Sequence, residues 1–173
     1  MIDFMVLGMP RSATTWVANL LTTDTTICLH DPLLEYRQSF LDQMVIPGKR
    51  IGISCTAMML YPDWLAAHPA RKVILYRNVA EVNSALERLA LPHVDVRIFV
   101  KAVKRLPRVS LYPWDGVFDP RMASAMCAEL GVPFCPYRHY ELVKMNVQPQ
   151  MNRLPVDPQA VRELVDRVRE VTQ

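Results

Sequence analysis

The stretch that decides the predicted fold is Val6-Leu7-Gly8-Met9-Pro10-Arg11-Ser12-Ala13-Thr14-Thr15-Trp16. The apolar run at 2–7 predicts a buried strand, and at 14–21 apolar residues recur at helical spacing. A strand, a tight turn and a helix therefore follow one another directly. In this arrangement several backbone N–H groups and the helix N-terminus point at one spot, which favours an anion such as phosphate.

The side chains of the turn suit the same role. Gly8 permits a sharp exit from the strand, and Pro10 stiffens the turn. Arg11 adds a permanent cation suited to phosphate or sulfate. Hydroxyl donors complete the set: Ser12, Thr14 and Thr15.

The spacing from Gly8 to Thr15 equals that of the Walker loop G-x-x-x-x-G-K-[ST], but two positions differ. Ala13 replaces the second glycine, and Thr14 replaces the lysine that reaches the β- and γ-phosphates. A nucleoside triphosphatase without this lysine loses its main charge on the transferred group. We therefore expect the loop to hold a phosphate, but in a different manner from an ATPase.

Beyond the loop, strands and helices alternate, which is typical of a mostly parallel sheet covered by helices on both faces. The patterns predict further strands at 26–29, 51–56, 72–76 and 109–112. They also predict further helices at 33–45, 62–68, 79–89, 95–106, 120–130, 137–145 and 158–171. We predict one three-layer α/β domain over residues 1–173, with a central sheet of about five strands.

The composition is that of a folded globular chain. The 173 residues are 51% hydrophobic and 21% charged, with a formal net charge of +3. This charge tolerates anionic ligands, but no block of Lys and Arg interleaved with aromatics indicates nucleic-acid binding. The four cysteines lie in or beside apolar runs without C-x-x-C spacing, so we expect reduced thiols at Cys28, Cys55, Cys127 and Cys135.

The N-terminal residues indicate no targeting signal. The run from Met1 to Leu7 contains Asp3, lacks a basic n-region and is too short for an h-region with a cleavage site. No apolar run long enough to span a bilayer follows. We therefore expect a cytoplasmic protein without a membrane anchor.

Residues 8–16 resemble the G-x-P-R-S-G-T-T-W loop with which sulfotransferases hold the 5′-phosphosulfate of 3′-phosphoadenosine 5′-phosphosulfate (PAPS). The resemblance extends, more weakly, to about residue 90. It implies a P-loop fold and transfer of a sulfuryl group from PAPS to a hydroxyl or amine acceptor, which leaves 3′-phosphoadenosine 5′-phosphate (PAP). The cofactor-binding residues that it implies in the loop are Pro10, Arg11, Ser12, Ala13, Thr14 and Thr15.

In the same family, an arginine at a strand end and a serine on the next helix hold the 3′-phosphate of PAPS. Arg77 matches the arginine. The family pattern R-[DN]-P-x-x-V-x-x-S places the serine where this chain has Ala85, whereas Ser84 stands one residue earlier and Val79 replaces the proline. Either the helix begins one residue later, so that Ser84 reaches the phosphate, or the contact is lost. Arg77 could instead form a surface ion pair with Glu81.

Sulfuryl transfer to an alcohol needs a group that takes the hydroxyl proton. The second predicted strand ends at His30-Asp31-Pro32, and strand C-termini of a parallel sheet line the crevice where ligands bind. We expect Asp31 to be the base, with His30 as the second candidate and Glu35 as the third. Asp31-Pro32 also fits a helix N-cap with proline at N1, which is compatible with that role. Arg11 would stabilise charge on the leaving phosphate.

Two other functions remain open. A P-loop kinase or nucleotide hydrolase would use ATP and magnesium and would need an acid at a strand end; the best candidate is Asp115, after a strand interrupted by Pro113. A catalytically silent relative would bind only an anion or a partner protein. The transfer requires no metal, since its cations come from arginine and backbone donors, and the other histidines lack metal-ligand spacing: His68, His93 and His139.

The acceptor class is open as well. A small molecule, a carbohydrate or a peptide would suit the proposed chemistry. In a sheet of this kind the acceptor pocket comes from loops and helices on its open side, here 33–45 and 90–120. Neither segment carries a recognisable motif, and the sequence does not define the oligomeric state.

Overall fold

The computed structural model describes residues 1–106 and 108–145. Its strands and helices alternate as predicted, in the order β1 (Ile2–Gly8), α1 (Thr14–Leu21), β2 (Thr26–His30), α2 (Gln38–Leu41), β3 (Arg50–Cys55), α3 (Pro62–Ala67), β4 (Arg71–Tyr76), α4 (Val79–Glu87), α5 (Val96–Arg105), β5 (Ser110–Pro113), α6 (Pro120–Leu130) and α7 (Pro136–Lys144). Short 3₁₀ turns lie at Pro32–Leu34, Ala57–Leu60 and Gly116–Phe118. The predicted helix at 158–171 lies outside the described residues.

The five strands form one sheet in the order β2-β3-β1-β4-β5, and every neighbouring pair is parallel. The chain leaves β1 toward β2 on one side and leaves β4 toward β5 on the other. Ligands bind at such a point of divergence in open α/β sheets, beyond the carboxyl ends of the strands. The predicted three-layer α/β fold with a mostly parallel sheet is confirmed, and the loop after β1 lies at this point.

The sheet is covered on both faces, which is why β1 is apolar along almost its whole length. Alternate residues of β1 point to opposite faces. Phe4 and Val6 pack with α1 and α6, in a cluster that includes Trp16, Val17, Leu21, Met126 and Leu130. Met5 and Leu7 pack with α2, α3 and α5, in a cluster that includes Leu41, Met58, Leu65, Ala102 and Leu106.

The helices agree with their predicted positions at most places. Helices α1 and α6 begin and end at the predicted residues, and α6 ends at Gly131, whose φ of 68° suits a glycine C-cap. Helix α4 begins at Val79, capped by the Asn78 side chain, which accepts a hydrogen bond from the Ala80 N–H. The longest helix of the described chain has 11 residues. None of the helices in the described ranges is long and apolar enough to cross a membrane.

The prediction of a helix at 33–45 was wrong. This segment contains the 3₁₀ turn Pro32–Leu34 and only the four-residue helix α2. Its apolar residues do not share one buried face, because Leu33 and Leu41 are buried whereas Phe40 and Val45 are exposed. Contacts from distant parts of the chain determine its path: the Asp42 carboxylate meets His68 Nε2 at 2.8 Å and the Trp64 indole nitrogen at 3.3 Å.

All four cysteines are free thiols. Three are buried, and Cys135 is exposed. Burial raises the pKa of the Cys127 thiol to about 11, and it raises the pKa values of Cys28 and Cys55 further. The three buried thiols are therefore protonated at neutral pH and act as small apolar side chains.

Candidate functional site

The loop between β1 and α1 has an unusual backbone. Arg11 and Ala13 adopt positive φ angles of 64° and 61° on either side of Ser12. Turns of this kind bring successive N–H groups toward one side and form anion-binding concavities. The Val17 N–H donates to the Ala13 carbonyl at 3.0 Å, which closes the first turn of α1. The N–H groups at 14–16 precede that bond and have no acceptor within the helix, so this helix start can offer N–H donors to an anion.

Gly8 is required for a different reason from the one predicted. Its φ lies outside the positive range, so the exit from the strand does not need glycine's conformational freedom. A Cβ atom at this position would lie 2.9 Å from the Leu75 carbonyl oxygen and 3.4 Å from the Leu75 Cβ. Glycine therefore lets β4 approach the end of β1 closely. This approach brings the residues after β4, including Arg77, next to the loop.

Besides the left-handed Arg11, the loop residues Ala13 and Ser12 are held in costly states. The left-handed conformation costs a non-glycine residue about 1–2 kcal/mol, and Ala13 adopts it while its methyl group is buried in the core beside Trp16. The Ser12 hydroxyl is buried without a hydrogen-bond partner, alone among the buried side-chain polar atoms of the described residues. An unsatisfied buried group of this kind costs about 1–3 kcal/mol. Both features are typical of a loop whose conformation serves ligand binding at a cost to the free energy of folding.

Arg77 is fixed against the loop by three contacts. Its Nη1 donates to the Arg11 carbonyl at 2.6 Å, and its Nε donates to Glu81 at 3.0 Å. Its guanidinium lies over the Trp114 ring, 3.9 Å from the ring centre. The ion pair with Glu81, which the sequence offered as an alternative role, is therefore present together with a contact to the loop.

Arg11 and Arg77 line one cleft of about 360 Å³ beside the start of α1. Burial lowers the pKa of Arg11, and the neighbouring charges of Arg77 and Arg88 lower it further. Lys144 adds a third cation to the cleft, and aromatic rings form much of the remaining wall: Trp16, Trp114 and Phe118. The cleft thus combines positive charge with flat apolar surfaces, which suits an anion that carries a ring.

Ser84 does not belong to this cleft. It lies on the exposed face of α4, and the buried residue beside it is Ala85. Because α4 begins at Val79, as the sequence predicted, the later helix start that would favour Ser84 does not occur. Arg77 and the loop are brought together, whereas the Ser84 side chain faces away from the core.

The other side of the loop carries the candidate bases. The Nε2 atom of His30 lies 3.0 Å from the Thr15 hydroxyl, 3.4 Å from the Thr14 hydroxyl and 3.2 Å from Asp31 Oδ2. Thr14 is held in place because the Ser54 hydroxyl donates to its carbonyl at 2.8 Å. The predicted neighbourhood of loop hydroxyls, histidine and carboxylate is therefore present at the end of β2.

These groups do not form a relay triad. In such a triad the two ring nitrogens of histidine contact different partners. Here the hydroxyls of Thr14 and Thr15 and the carboxylate of Asp31 all meet the same nitrogen of His30. A single ring nitrogen carries at most one proton, so the carboxylate and the hydroxyls compete for it.

The Asp31 side chain is positioned by a hydrogen bond other than the predicted N-cap bond. It precedes Pro32 at the start of a 3₁₀ turn, with φ 43°, but its side chain does not cap that turn. Instead, its Oδ1 accepts a hydrogen bond from the Thr56 N–H at 3.0 Å, just beyond the end of β3. One carboxylate oxygen is thus used for structure, and Oδ2 faces His30. Glu35, the third candidate base, is exposed at the end of the turn.

Trp114 and Thr56 are functional-site residues that were not predicted from the sequence. Trp114 follows β5, and its backbone N–H bonds to the Tyr76 carbonyl at 2.9 Å. The rule that strand ends line the crevice could have indicated both residues.

Asp115, the acid named for a kinase, is exposed beyond β5, and β4 separates that strand from β1. In the described ranges, no cluster of three or more His, Cys, Asp or Glu side chains could hold a metal ion.

Comparisons with known proteins assign no relative. No family model, no curated protein and no solved structure matches the chain.

Proposed function

We propose that this chain is a PAPS-dependent sulfotransferase that moves a sulfuryl group to a hydroxyl or amine acceptor. The observation that carries the proposal is the pair of guanidinium groups, Arg11 and Arg77, in one cleft beside the start of α1. Two guanidinium groups in one cleft favour a bound anion, and the ion pair of Arg77 with Glu81 holds one of them in place. A nucleotide with separate 5′- and 3′-phosphates supplies an anion for each arginine.

The residues present fit such a nucleotide. The 5′ end would be held by the N–H groups at 14–16, the Ser12 hydroxyl and Arg11, which together match the P-R-S and T-T-W parts of the sulfotransferase loop. Arg77 would hold the 3′-phosphate, and the aromatic wall of the cleft would take the adenine. The buried Ser12 hydroxyl, which lacks a partner in the described protein, would gain one.

Asp31 takes the proton in the proposed reaction. When bound, PAPS supplies a sulfuryl group whose S–O bond to the 5′-phosphate breaks. The Oδ2 atom of Asp31 accepts the proton of the acceptor hydroxyl as the acceptor oxygen bonds to sulfur. Arg11 and the N–H groups of the loop stabilise the negative charge that develops on the phosphate oxygen. The Thr56 N–H holds the carboxylate in place during this step.

The alternatives differ in what they need from the same residues. A kinase or hydrolase would bind magnesium with ATP and would need a cation where Thr14 stands. A silent relative would keep the arginine pair but would not use Asp31. The three functions can therefore be distinguished by which nucleotide binds and by whether a substitution at Asp31 changes the rate of transfer.

Thermal denaturation with a panel of nucleotides tests the proposal. PAP, adenosine 5′-monophosphate, and ATP or GTP with magnesium are each added to the full chain. At a hundredfold excess over Kd, PAP is expected to stabilise the fold by about 2.7 kcal/mol. For a chain of this size, this free energy corresponds to a rise in Tm of roughly 5–10 °C. Adenosine 5′-monophosphate, which lacks the 3′-phosphate, should produce a smaller rise.

A matched pair of arginine variants provides the control. Arg11→Ala should abolish the PAP shift, and Arg121→Ala, which removes an exposed arginine from α6, should leave it unchanged. No shift at millimolar PAP would contradict the proposal. A larger shift with magnesium and ATP than with PAP would favour the kinase.

A further inference from the structure

The segment that follows Asp31 presents an exposed aromatic pair. The rings of Tyr36 and Phe40 stack with centres 5.4 Å apart and an angle of 19° between their planes. Both side chains remain accessible, with 40% and 46% of their surface exposed. They line a shallow cleft of about 360 Å³ together with Glu35, Arg37, Ser39 and Gln43.

This pair lies close to the candidate base. The Leu34 N–H bonds to the Asp31 carbonyl at 3.1 Å, and the Tyr36 N–H bonds to the Pro32 carbonyl at 2.9 Å. These bonds coil residues 31–36 into a single compact turn, so Tyr36 cannot extend away from Asp31. Five extended residues would reach at most about 18 Å, and the coiled segment is shorter. The Tyr36 backbone therefore lies less than about 18 Å from that of Asp31, within the reach of a bound oligosaccharide.

The lining has the chemistry that recognises a sugar. Flat ring faces pack against the C–H groups of a pyranose, and the surrounding side chains supply both kinds of hydrogen-bonding group. Glu35 accepts, Arg37 donates, and Ser39 does both. The cleft is open, so hydroxyl groups that point away from the protein would remain hydrated. A phenol would gain most from an enclosed apolar pocket, and this cleft is shallow with a polar rim.

From these features we infer that the acceptor is a carbohydrate, and that Tyr36 and Phe40 form the surface on which its ring stacks. The inference deepens the proposed function and rests on it, because it assigns the acceptor of the same transfer. It accounts for the exposure of two large aromatic side chains beside the candidate base, which a purely structural role does not require. It also gives a function to the segment where the predicted helix is absent.

Glycan binding by the full chain tests the inference without any transfer reaction. An array of neutral and acidic glycans identifies the oligosaccharide that binds best, and calorimetric titration then measures its Kd. Tyr36→Ala and Phe40→Ala are each expected to weaken binding about tenfold, which corresponds to the loss of one stacking contact. Val45→Ala is the matched control, since Val45 belongs to the same segment and is 79% exposed but does not line the cleft. This variant should bind within about twofold of the unmodified chain.

The outcomes separate the two proposals. If PAP raises the Tm but no glycan binds, or if the aromatic variants bind as well as the control, the carbohydrate site is wrong and the sulfotransferase proposal stands. If a glycan binds through Tyr36 and Phe40 but PAP produces no shift, the sulfotransferase proposal and the acceptor role both fail. Sulfation of 4-nitrophenol with a KM that rises in Tyr36→Ala, in the absence of glycan binding, would show that the ring surface serves a phenol.

Discussion

The two sides of the loop between β1 and α1 are built differently. On the side of β4, Arg77 is mostly buried, with a side chain 16% exposed, and three separate groups hold it. On the side of β2, His30 and Asp31 are more accessible, with side chains 34% and 23% exposed. Asp31 Oδ2 and two threonine hydroxyls converge on one ring nitrogen of His30, while the Thr56 N–H holds Asp31 Oδ1. A rigid cation is suited to binding an anion, and a proton-accepting group with competing partners is suited to proton transfer. Under the proposed function, this difference would place anion binding on the β4 side of the loop and proton transfer on the β2 side.

The strongest test of this separation changes the β2 side alone. Asp31→Asn removes the proton acceptor but keeps the oxygen that accepts from the Thr56 N–H. We expect the rate of sulfuryl transfer to fall by about 10²–10⁴, the usual contribution of a general base, while PAP binding changes little. Single-turnover transfer and PAP titration measure the two effects.

The control for this variant is Glu35→Gln, which neutralises the exposed carboxylate nearby. Because Glu35 also lines the proposed acceptor cleft, this variant should raise the KM for the acceptor but keep the original transfer rate at saturating acceptor. A loss of rate in Glu35→Gln with normal transfer in Asp31→Asn would show that the base has been assigned to the wrong residue. Normal transfer in both variants would remove the carboxylate from the proposed mechanism.

A second test changes the β4 side alone. Arg77→Ala should weaken PAP binding by roughly tenfold to a hundredfold, because a charge-assisted hydrogen bond contributes about 1.5–3 kcal/mol. Affinity for adenosine 5′-monophosphate should change much less, since that nucleotide lacks the 3′-phosphate. Calorimetric titration of both nucleotides gives the ratio.

Arg77→Lys sharpens this result. Lysine keeps the charge but cannot both lie flat on Trp114 and bond to the Arg11 carbonyl. We expect an affinity for PAP between those of the alanine variant and the unmodified chain. Equal losses for the two nucleotides would show that Arg77 acts by shaping the loop and not by binding the 3′-phosphate.

The smallest expected effect comes from a substitution at the end of β1, the strand that leads into the loop. Gly8→Ala places a Cβ atom 2.9 Å from the Leu75 carbonyl oxygen, so β1 and β4 must move apart. Overpacking of this kind costs about 1–3 kcal/mol, which lowers the Tm by roughly 2–12 °C at this chain length. Because β4 carries Arg77, PAP binding should weaken as well. Thermal melts with and without PAP measure both changes.

Gly48→Ala provides the comparison for this variant. Gly48 has a φ of 71° and nothing within 4 Å of its Cβ position, so its substitution costs backbone strain alone. It should lower the Tm slightly and leave PAP binding unchanged. If Gly8→Ala behaves in the same way, the close approach of β4 does not position Arg77.

The segments that could be predicted are those with strong local patterns. The limits of α1 follow from apolar spacing, and those of α6 follow also from Pro120 and Gly131 at its ends, so that the signals lie within or next to each helix. The loop at 9–13 was also predicted, since a strand that runs directly into a helix leaves few alternatives. The segment at 33–45 also has apolar residues at helical spacing, but its path depends on a distant contact that this spacing does not contain. Asp42 is held by Trp64 and His68, which lie 22 and 26 residues further along the chain.

The sequence by itself determined the α/β order, the parallel sheet and the place of the turn after β1, because hydrophobic periodicity and turn residues act over a few neighbouring positions. Only the tertiary structure decided which side chains meet there. The contact of Arg77 with the Arg11 carbonyl and with Trp114 joins three strand ends, and the Thr56 N–H that holds Asp31 comes from a fourth. Such contacts depend on strand order and close packing, which no local pattern contains.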